Sequence, residues 1–258
     1  MCGRFVSASP PADIAAYFDV AEVAESLLEP NYNVAPTNDI YVVYTDGGTR
    51  RLDPFHWGFV PSWAKDLSVG NRMINARSET LATKSAFKSS LAKRRCIIPA
   101  DGFYEWKVVP GQKRKQPYYI HRPDGEPYAF GGLWTQWRGS GPTGEPLVVR
   151  STTIITGEPN EKMAELHDRM PLILPPAAWG DWLDPDLTDL DTVGRFLVPA
   201  PSELITFHPV STDVGNVRNK GEHLIEEVPI AEQAVRADQP LFAEQDGTAE
   251  QEGIAEQP

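Results

Sequence analysis

Cysteine is scarce in this chain: its 258 residues include only Cys2 and Cys96. Two cysteines cannot build a disulfide framework, and such sparse use is typical of a reducing cytoplasm. Neither cysteine has further cysteine or histidine residues at the short spacing of a structural zinc site. The sequence therefore predicts a protein without disulfides, and we expect it to need no metal and no organic cofactor.

Long apolar runs are missing as well. No stretch approaches the roughly 18 residues that a membrane-spanning helix needs. The start of the chain lacks the basic and apolar segments of a secretory signal. We therefore expect no membrane partner and a cytoplasmic location. Hydrophobic residues still make up 41% of the chain, which is enough to bury a substantial core.

The acidic charge of the chain is unevenly distributed. Taken as a whole, the net charge of −12 argues against a nucleic-acid partner. Residues 222–258 carry ten Asp/Glu and one Arg, whereas residues 71–115 carry eleven Lys/Arg and three Asp/Glu, a net of +8. The basic segment is either a solvated face or a nucleic-acid surface, and charge alone does not decide between them.

Strand-like segments outnumber helical ones and do not alternate with them regularly. β-branched and aromatic runs such as 40–44 and 147–156 indicate strands separated by turn residues. This pattern predicts an α+β fold: a single domain with a mainly antiparallel, curled, barrel-like sheet flanked by short helices. We assign the domain to residues 1–230. Residues 231–258, rich in Glu, Gln, Ala and Gly, are expected to form an acidic, disordered tail.

Three segments carry more local expectations. Residues 30–38 contain prolines and asparagines and predict an ordered loop. Residues 79–94 contain no Gly or Pro, so they predict one helix capped by Ser78. Segments 117–122 and 127–137 flank a Pro-Asp-Gly turn and predict a β-hairpin.

The second residue offers unusual chemistry once Met1 is removed. Cys2 then carries an α-amine and a thiol on adjacent carbons. The amine can condense with an aldehyde to a Schiff base, and the thiol can then close a thiazolidine ring on the same carbon. An α-amino group has a pKa of about 7.7–8.0, so a useful fraction is neutral at pH 7. Position alone also allows the plainer interpretation, an ordinary cysteine near the start of the chain.

Three polar residues are candidates for catalysis, and each has a structural alternative. Glu105 lies between Tyr104 and Trp106, where it is either a salt-bridged surface group or a desolvated acid–base group with a raised pKa. His167 is either a structural histidine or a proton-transfer group. Asn75 is either a turn or cap residue or a neutral donor and acceptor within a site.

Six segments, taken in order, carry a specific resemblance. They read MCGRF at 1–5, YNVAP at 32–36, INARSE at 74–79, CIIPADGFYEW at 96–106, HDRMP at 167–171 and HPVSTDVGNVRN at 208–219. The combination resembles the SOS-response-associated peptidase family, also called abasic-site processing proteins, from Cys2 to about Glu226. The acidic tail lies outside the resemblance.

The resemblance implies a DNA-lesion activity. It implies binding of single-stranded DNA with an abasic site, whose ring-opened form is an aldehyde, and a covalent thiazolidine crosslink that shields the lesion. It supplies the following catalytic set: Cys2, Asn75, Glu105 and His167. It also implies that Arg77 and Arg169 hold phosphates. The loops facing DNA are implied to include Asn33, Pro36 and Trp63.

Two further residues complete the predicted DNA surface. Arg4 can fork onto phosphates. Trp106, like Trp63, can stack on bases, with burial in the core as the alternative for both tryptophans. We expect a monomer that associates with the nucleoid when bound to damaged DNA, and an activity that removes Met1 is compatible with this expectation. Two other functions remain open: an N-terminal-nucleophile cysteine peptidase and a non-catalytic single-stranded DNA-binding module.

Overall fold

Two β-sheets organise the part of the chain that the computed structural model describes, residues 2–111, 114–141 and 143–230. The strands are β1 (Phe5–Ser7), β2 (Glu22–Val23), β3 (Asn31–Val34), β4 (Asp39–Asp46), β5 (Thr49–Trp57), β6 (Asn75–Arg77), β7 (Arg95–Ala100), β8 (Gly102–Lys107), β9 (Gln116–His121), β10 (Tyr128–Ser140), β11 (Pro146–Gly157), β12 (Met170–Pro171) and β13 (Thr206–Pro209). The α-helices are α1 (Pro11–Tyr17), α2 (Ser85–Lys93), α3 (Glu161–Ala164), α4 (Trp179–Leu183) and α5 (Leu190–Gly194). Short 3-10 helices cover Leu67–Arg72, Ser78–Thr80, Pro176–Ala178, Ser202–Leu204, Thr212–Gly215 and Glu222–Ile225.

The larger sheet closes into a five-stranded barrel. Its strand order is β12-β11-β10-β7-β4-β5-β2. A parallel pairing of β11 with β5, at Ser151–His56 and Thr152–Trp57, closes the strands β11-β10-β7-β4-β5 into a ring. Strand β6 lies parallel to β11 beyond that pairing. The predicted α+β class, a single domain with a mainly antiparallel, barrel-like sheet and short helices, is therefore confirmed.

The smaller sheet is antiparallel throughout and has the order β13-β9-β8-β1-β3. It packs against the barrel through a shared apolar cluster that contains Phe5 and Phe103 from this sheet and Trp57 and Phe130 from the barrel. The rings of Phe5 and Trp57 meet edge to face, with their centroids 5.2 Å apart. Burial of each such aromatic side chain contributes about 1.5–3 kcal/mol. This contact fixes the start of the chain against the barrel.

The central barrel strands are buried on both faces. Along β4, Val42 belongs to the cluster shared with the smaller sheet, whereas Val43 belongs to a second cluster that the helices cover. This alternation follows from the two-residue period of side chains in a strand. Because neither face is solvated, the strand reads as a continuous apolar run from Ile40 to Tyr44.

The predicted hairpin of segments 117–122 and 127–137 is wrong. Strand β9 pairs with β8 and β13 in the smaller sheet, whereas β10 pairs with β7 and β11 in the barrel. The turn between them, with Gly125 at φ +77°, sends the chain from one sheet to the other. Both edges of each strand are occupied by other partners, so the two segments do not pair.

Two other local predictions also need correction. Residues 30–38 are not only a loop, because β3 (Asn31–Val34) pairs with β1 there, and its flanking prolines stand outside the strand. Residues 79–94 do not form one helix: a 3-10 turn at Ser78–Thr80 is followed by the shorter helix α2. The β-branched Thr80, which ends the 3-10 turn, and Thr83, which lies between the turn and α2, disfavour a continuous helix.

None of the helices in the described residues has both the length and the apolar character needed to cross a membrane. The tail predicted at 231–258 lies outside the described residues.

Candidate active site and nucleic-acid interface

The smaller sheet brings Cys2 and Glu105 together. Strands β1 and β8 pair in antiparallel register, with Phe5 opposite Phe103, and the amide of Tyr104 donates to the carbonyl of Arg4 at 3.0 Å. In the same register, the residues that precede β1, including Cys2, lie beside the part of β8 that carries Glu105. Both side chains are buried, with Cys2 1% and Glu105 4% exposed. Glu105 is therefore desolvated, and the salt-bridged surface alternative does not describe it.

The barrel contributes Asn75 and His167 to the same place. Asn75 lies on β6, and its Nδ2 donates to the carbonyl of Cys2 at 2.9 Å. The buried Oδ1 of Asn75 has no hydrogen-bond partner among the described residues. His167 follows α3, and its Nε2 lies 3.8 Å from Oε2 of Glu105. The four predicted catalytic residues thus meet where the two sheets join.

Burial controls the protonation of the two central groups. It raises the pKa of the Cys2 thiol, and the neighbouring charge of Glu105 raises it further. Burial also raises the pKa of Glu105, although the nearby His167 partly opposes this shift. The thiol is consequently neutral at physiological pH. It becomes a strong nucleophile only when a base accepts its proton, and the Glu105 carboxylate is the base beside it.

The main chain orients the imidazole of His167. Its Nδ1 lies 3.0 Å from the backbone amide of Arg169 and 2.9 Å from a carboxylate oxygen of Asp168. One nitrogen cannot accept from the amide and donate to the carboxylate at once. The amide contact is fixed by the backbone, whereas the Asp168 side chain is 88% exposed. We therefore assign Nδ1 as the acceptor, which leaves the proton on Nε2, facing Glu105.

The predicted phosphate ligands differ in how they are engaged. Arg77 is exposed at the end of β6. Arg169 forms a two-pronged ion pair with Glu79, with the second nitrogen–oxygen distance at 3.0 Å, and also donates to the carbonyl of Thr156 at 2.7 Å. Arg169 holds the pKa of Glu79 down at about 2. Its charge is therefore already compensated, so a phosphate would have to compete with Glu79.

Arg4 is partly buried between the site and the surface. Its guanidinium lies over the ring of Trp106 at 5.9 Å, and one of its nitrogens donates to Oδ1 of Asn33 at 2.7 Å. Its buried Nε has no hydrogen-bond partner among the described residues. Burial lowers its pKa. Arg4 is thus a partly desolvated cation two residues from Cys2.

The other predicted DNA-facing residues differ in how far they are exposed to solvent. Trp63 is 67% exposed, which excludes a core role for it. Pro36 is partly exposed, and Trp106 is partly buried against the cluster that contains Tyr104. Asn33 is only 1% exposed. Its side chain is enclosed by the groups to which it hydrogen-bonds.

A tight backbone crossing holds the segment that carries Trp63. Gly58 and Gly70 approach so closely that a Cβ on Gly70 would lie 2.5 Å from the carbonyl oxygen of Gly58. The indole of Trp137 donates to the carbonyl of Ala64 at 2.8 Å. Trp63 therefore projects from an anchored segment.

Glu79 is a site residue that sequence reasoning missed. It stands within the INARSE segment, but nothing local indicates its partner, because Arg169 is 90 positions away in the chain. A carboxylate two residues after a candidate phosphate ligand is the only signal that the sequence offers.

The site thus combines a buried cysteine near the start of the chain with a buried carboxyl, a histidine and an amide. These groups lie between a small sheet and a five-stranded barrel, and this arrangement can be compared with known families. The sequence profile described as SOS response associated peptidase (SRAP) matches residues 1–217. The chain belongs to this family.

Related proteins agree with this assignment. Abasic site processing protein YoqW of Bacillus subtilis is 42% identical over 227 residues, covering 88% of this chain and 99% of that protein. Abasic site processing protein YedK of Escherichia coli is 34% identical and covers 88% of this chain and 100% of that protein. A crystal structure of a Bacteroides thetaiotaomicron protein shares the fold, with a TM-score of 0.77 at 23% identity, over 88% of this chain and 100% of that chain.

Proposed function

We propose that the protein processes abasic sites in single-stranded DNA by crosslinking itself to them through Cys2. The observation that carries this proposal is the convergence of Cys2, Asn75, Glu105 and His167 where the two sheets meet. The names of the related proteins support abasic sites as the substrate. The proposal requires that Met1 be removed, because only then does Cys2 carry an amine.

The amine of Cys2 reacts first. The thiol is held neutral by burial, whereas part of an N-terminal amine is neutral near pH 7. The amine nitrogen adds to the aldehyde carbon of the ring-opened sugar, and the carbonyl oxygen becomes a hydroxyl. Loss of that hydroxyl as water leaves a Schiff base. A proton donor must assist this loss, and Glu105, with its raised pKa, can hold a proton for it.

The thiol closes the ring in the second step. Glu105, now ionised, accepts the thiol proton, and the sulfur bonds to the former aldehyde carbon. The carbon–nitrogen double bond becomes a single bond, and the nitrogen takes up a proton. Amine, thiol and aldehyde thus give one thiazolidine and one water. Both new bonds are on one carbon, which makes the product harder to hydrolyse than the Schiff base.

Asn75 and His167 support these steps. Asn75 holds the carbonyl of Cys2, so the amine and thiol are presented in one orientation. His167 carries its Nε2 proton toward Glu105 and can adjust the protonation of that carboxyl, since neighbouring titratable groups shift one another. It can also protonate the leaving group when the ring reopens.

The DNA strand is held by cations and aromatic rings around the site. Arg4 and the exposed Arg77 are suited to phosphates, and the exposed ring of Trp63 is suited to stacking on a base. Arg169 joins them when a phosphate replaces Glu79. This local surface explains how a chain with a net charge of −12 can bind a polyanion.

The test is a crosslinking reaction with the full chain after Met1 removal. We expect single-stranded DNA with one abasic site to give a complex that survives heat and detergent. The matched control is the same strand with a tetrahydrofuran analogue, which has the sugar ring but no aldehyde, and it should give no complex. A peptidase or a non-catalytic binding module would give no durable complex with either strand, and that result would overturn the proposal.

A further inference from the structure

We propose that residues 214–219 form a DNA-contacting loop beside the crosslinking site, with Arg218 as a phosphate ligand and buried Asn33 as the residue that positions the loop. The inference rests on the proposed function, because it assigns a further part of the same DNA surface. The loop is the end of the segment HPVSTDVGNVRN, which the catalytic scheme above leaves without a role.

Asn33 ties this loop to the active site. Its Nδ2 lies 3.1, 3.1 and 2.8 Å from the carbonyl oxygens of Val214, Asn216 and Asn219. An amide nitrogen has two hydrogens, so three converging carbonyls leave no donor unused. The Oδ1 of Asn33 accepts from Arg4. One buried side chain therefore connects the loop to a cation two residues from Cys2.

Arg4 reinforces the same connection. The nitrogen that donates to Asn33 also donates to the carbonyl of Val214 at 2.8 Å. The backbone amide of Tyr32, next to Asn33, donates to the carbonyl of Lys220 at 3.2 Å. The loop is thus attached at both of its ends, and its distance from the site is set by these contacts.

Within the loop, a turn fixes the direction of Arg218. Its backbone amide donates to Oδ1 of Asn216 at 3.1 Å, and the amide of Asn219 donates to the carbonyl of Asn216 at 3.0 Å. The side chain of Asn219 donates to the carbonyl of Asp213 at 2.9 Å. The tip of the loop is pre-organised, which lowers the entropic cost of binding a ligand.

The cations of this loop and of Lys220, the residue that follows it, are suited to an anionic ligand. Arg218 and Lys220 are exposed, and among the described residues neither makes an ion pair with the nearby Asp213 or Glu222. Arg4, which contacts Val214 of this loop, also has no carboxylate partner among the described residues. Three uncompensated cations around a rigid turn suit the phosphates of one nucleic-acid strand.

The experiment measures non-covalent binding of undamaged single-stranded DNA across a salt series. Each phosphate contact on a single strand contributes about 0.7 to the slope of log K against log salt. We expect Arg218→Ala to reduce the slope by about that amount and to weaken binding about five-fold at 0.1 M salt. Arg218→Lys should restore most of the affinity, because it restores the charge.

The matched control is Arg51→Ala. It removes the same charge from a surface cation on β5 that is paired with Glu22 and is not among the predicted DNA-contacting residues. Equal effects of Arg51→Ala and Arg218→Ala, or no effect of Arg218→Ala, would overturn the proposal. Failure of the unaltered protein to crosslink would instead refute the proposed function, so the two failures are distinguishable.

The positioning role of Asn33 is tested by a double-mutant cycle. If Asn33 places Arg218, then Arg218→Ala should lose most of its effect on the salt slope in an Asn33→Ala background. Additive effects would contradict positioning. Asn219→Ala loosens the same loop from an accessible position and should reproduce the coupling if Asn33→Ala fails to fold.

Discussion

The side-chain amide of Asn75 donates a hydrogen bond to the main-chain carbonyl of Cys2, with 2.9 Å between the heavy atoms. This bond joins the start of the smaller sheet to β6, which is paired with the barrel. It engages only the carbonyl of Cys2, so it leaves the amine and the thiol of the proposed reaction uninvolved. The bond therefore fixes the position of the backbone at Cys2, the residue proposed as the nucleophile.

The first prediction concerns the acid–base role of Glu105. Glu105→Gln preserves the shape of the side chain and removes its ionisable proton. A positioned proton-transfer group contributes about 10²–10⁴-fold, so crosslink formation should slow by that order while DNA binding persists. A time course of adduct formation with abasic DNA measures this. Formation at the unaltered rate would show that Glu105 is a structural carboxyl.

The same substitution has a predicted effect on stability. Burial raises the pKa of Glu105 above its ordinary value of 4.5, so the folded state binds this proton more tightly than the unfolded state. Stability should then fall as pH rises from the unfolded value through the raised folded value. Glu105→Gln removes this decline. Urea unfolding of both proteins between pH 4 and pH 8 is the measurement, and parallel profiles would contradict the shift.

The third prediction separates His167 from Glu105. His167→Ala should slow crosslink formation less than Glu105→Gln does, but it should slow reversal more, because ring opening needs an acid. Reversal is measured by moving the crosslinked protein into excess unlabelled abasic DNA and following exchange. Unchanged exchange would remove His167 from the reaction and leave it as a packing residue.

The fourth prediction contrasts two arginines. Arg77→Ala removes an exposed cation that makes no ion pair among the described residues, so it should lower the salt slope by about 0.7 and weaken DNA binding without changing the crosslinking chemistry. Arg169→Ala also removes the ion-pair partner of Glu79, whose pKa should rise from about 2 toward its ordinary range. It should weaken binding more, because an uncompensated carboxylate then faces the DNA. Anisotropy titrations over a salt series compare them, and identical losses would argue against the Glu79 pair.

The fifth prediction tests the anchor of the Trp63 segment. A Cβ at Gly70 would lie 2.5 Å from the carbonyl oxygen of Gly58, so Gly70→Ala should destabilise the fold by about 1–3 kcal/mol. It should also weaken single-stranded DNA binding. Gly180→Ala is the control, since among the described residues no atom beyond its chain neighbours and its own helix backbone lies within 4 Å of the added Cβ, and it should not lower the melting temperature. Equal melting temperatures for the two variants would show that the crossing is not tight.

Much of the fold could be predicted from local patterns. The apolar run at Ile40–Tyr44 and the β-branched run along β11 lie in strands, because their side chains suit positions buried on one or both faces. Barrel closure could not be predicted in detail, since it depends on the parallel contact of β11 with β5. That contact joins segments about a hundred residues apart, and no local pattern encodes it.

In the site, too, some features follow from local sequence and others depend on contacts between distant segments. The aromatic residues that flank Glu105 allow a desolvated carboxyl as one of two alternatives, and the fold buries this side chain. The resemblance implies a DNA-facing loop at Asn33; in the fold its side chain is buried, and it donates to carbonyls 181–186 positions further along the chain. The partners of Arg169 and Asn33 are distant in sequence, so only the folded chain reveals them.

The most direct test of the account is the intact mass of the product formed with an abasic oligonucleotide. The product should have a mass equal to the protein without Met1 plus the DNA minus one water, with the attachment mapped to Cys2. Cys2→Ser retains the amine and should give at most a labile Schiff base, and Cys2→Ala should give no heat-stable adduct. A heat-stable adduct from Cys2→Ala, or one that retains Met1, would contradict the account.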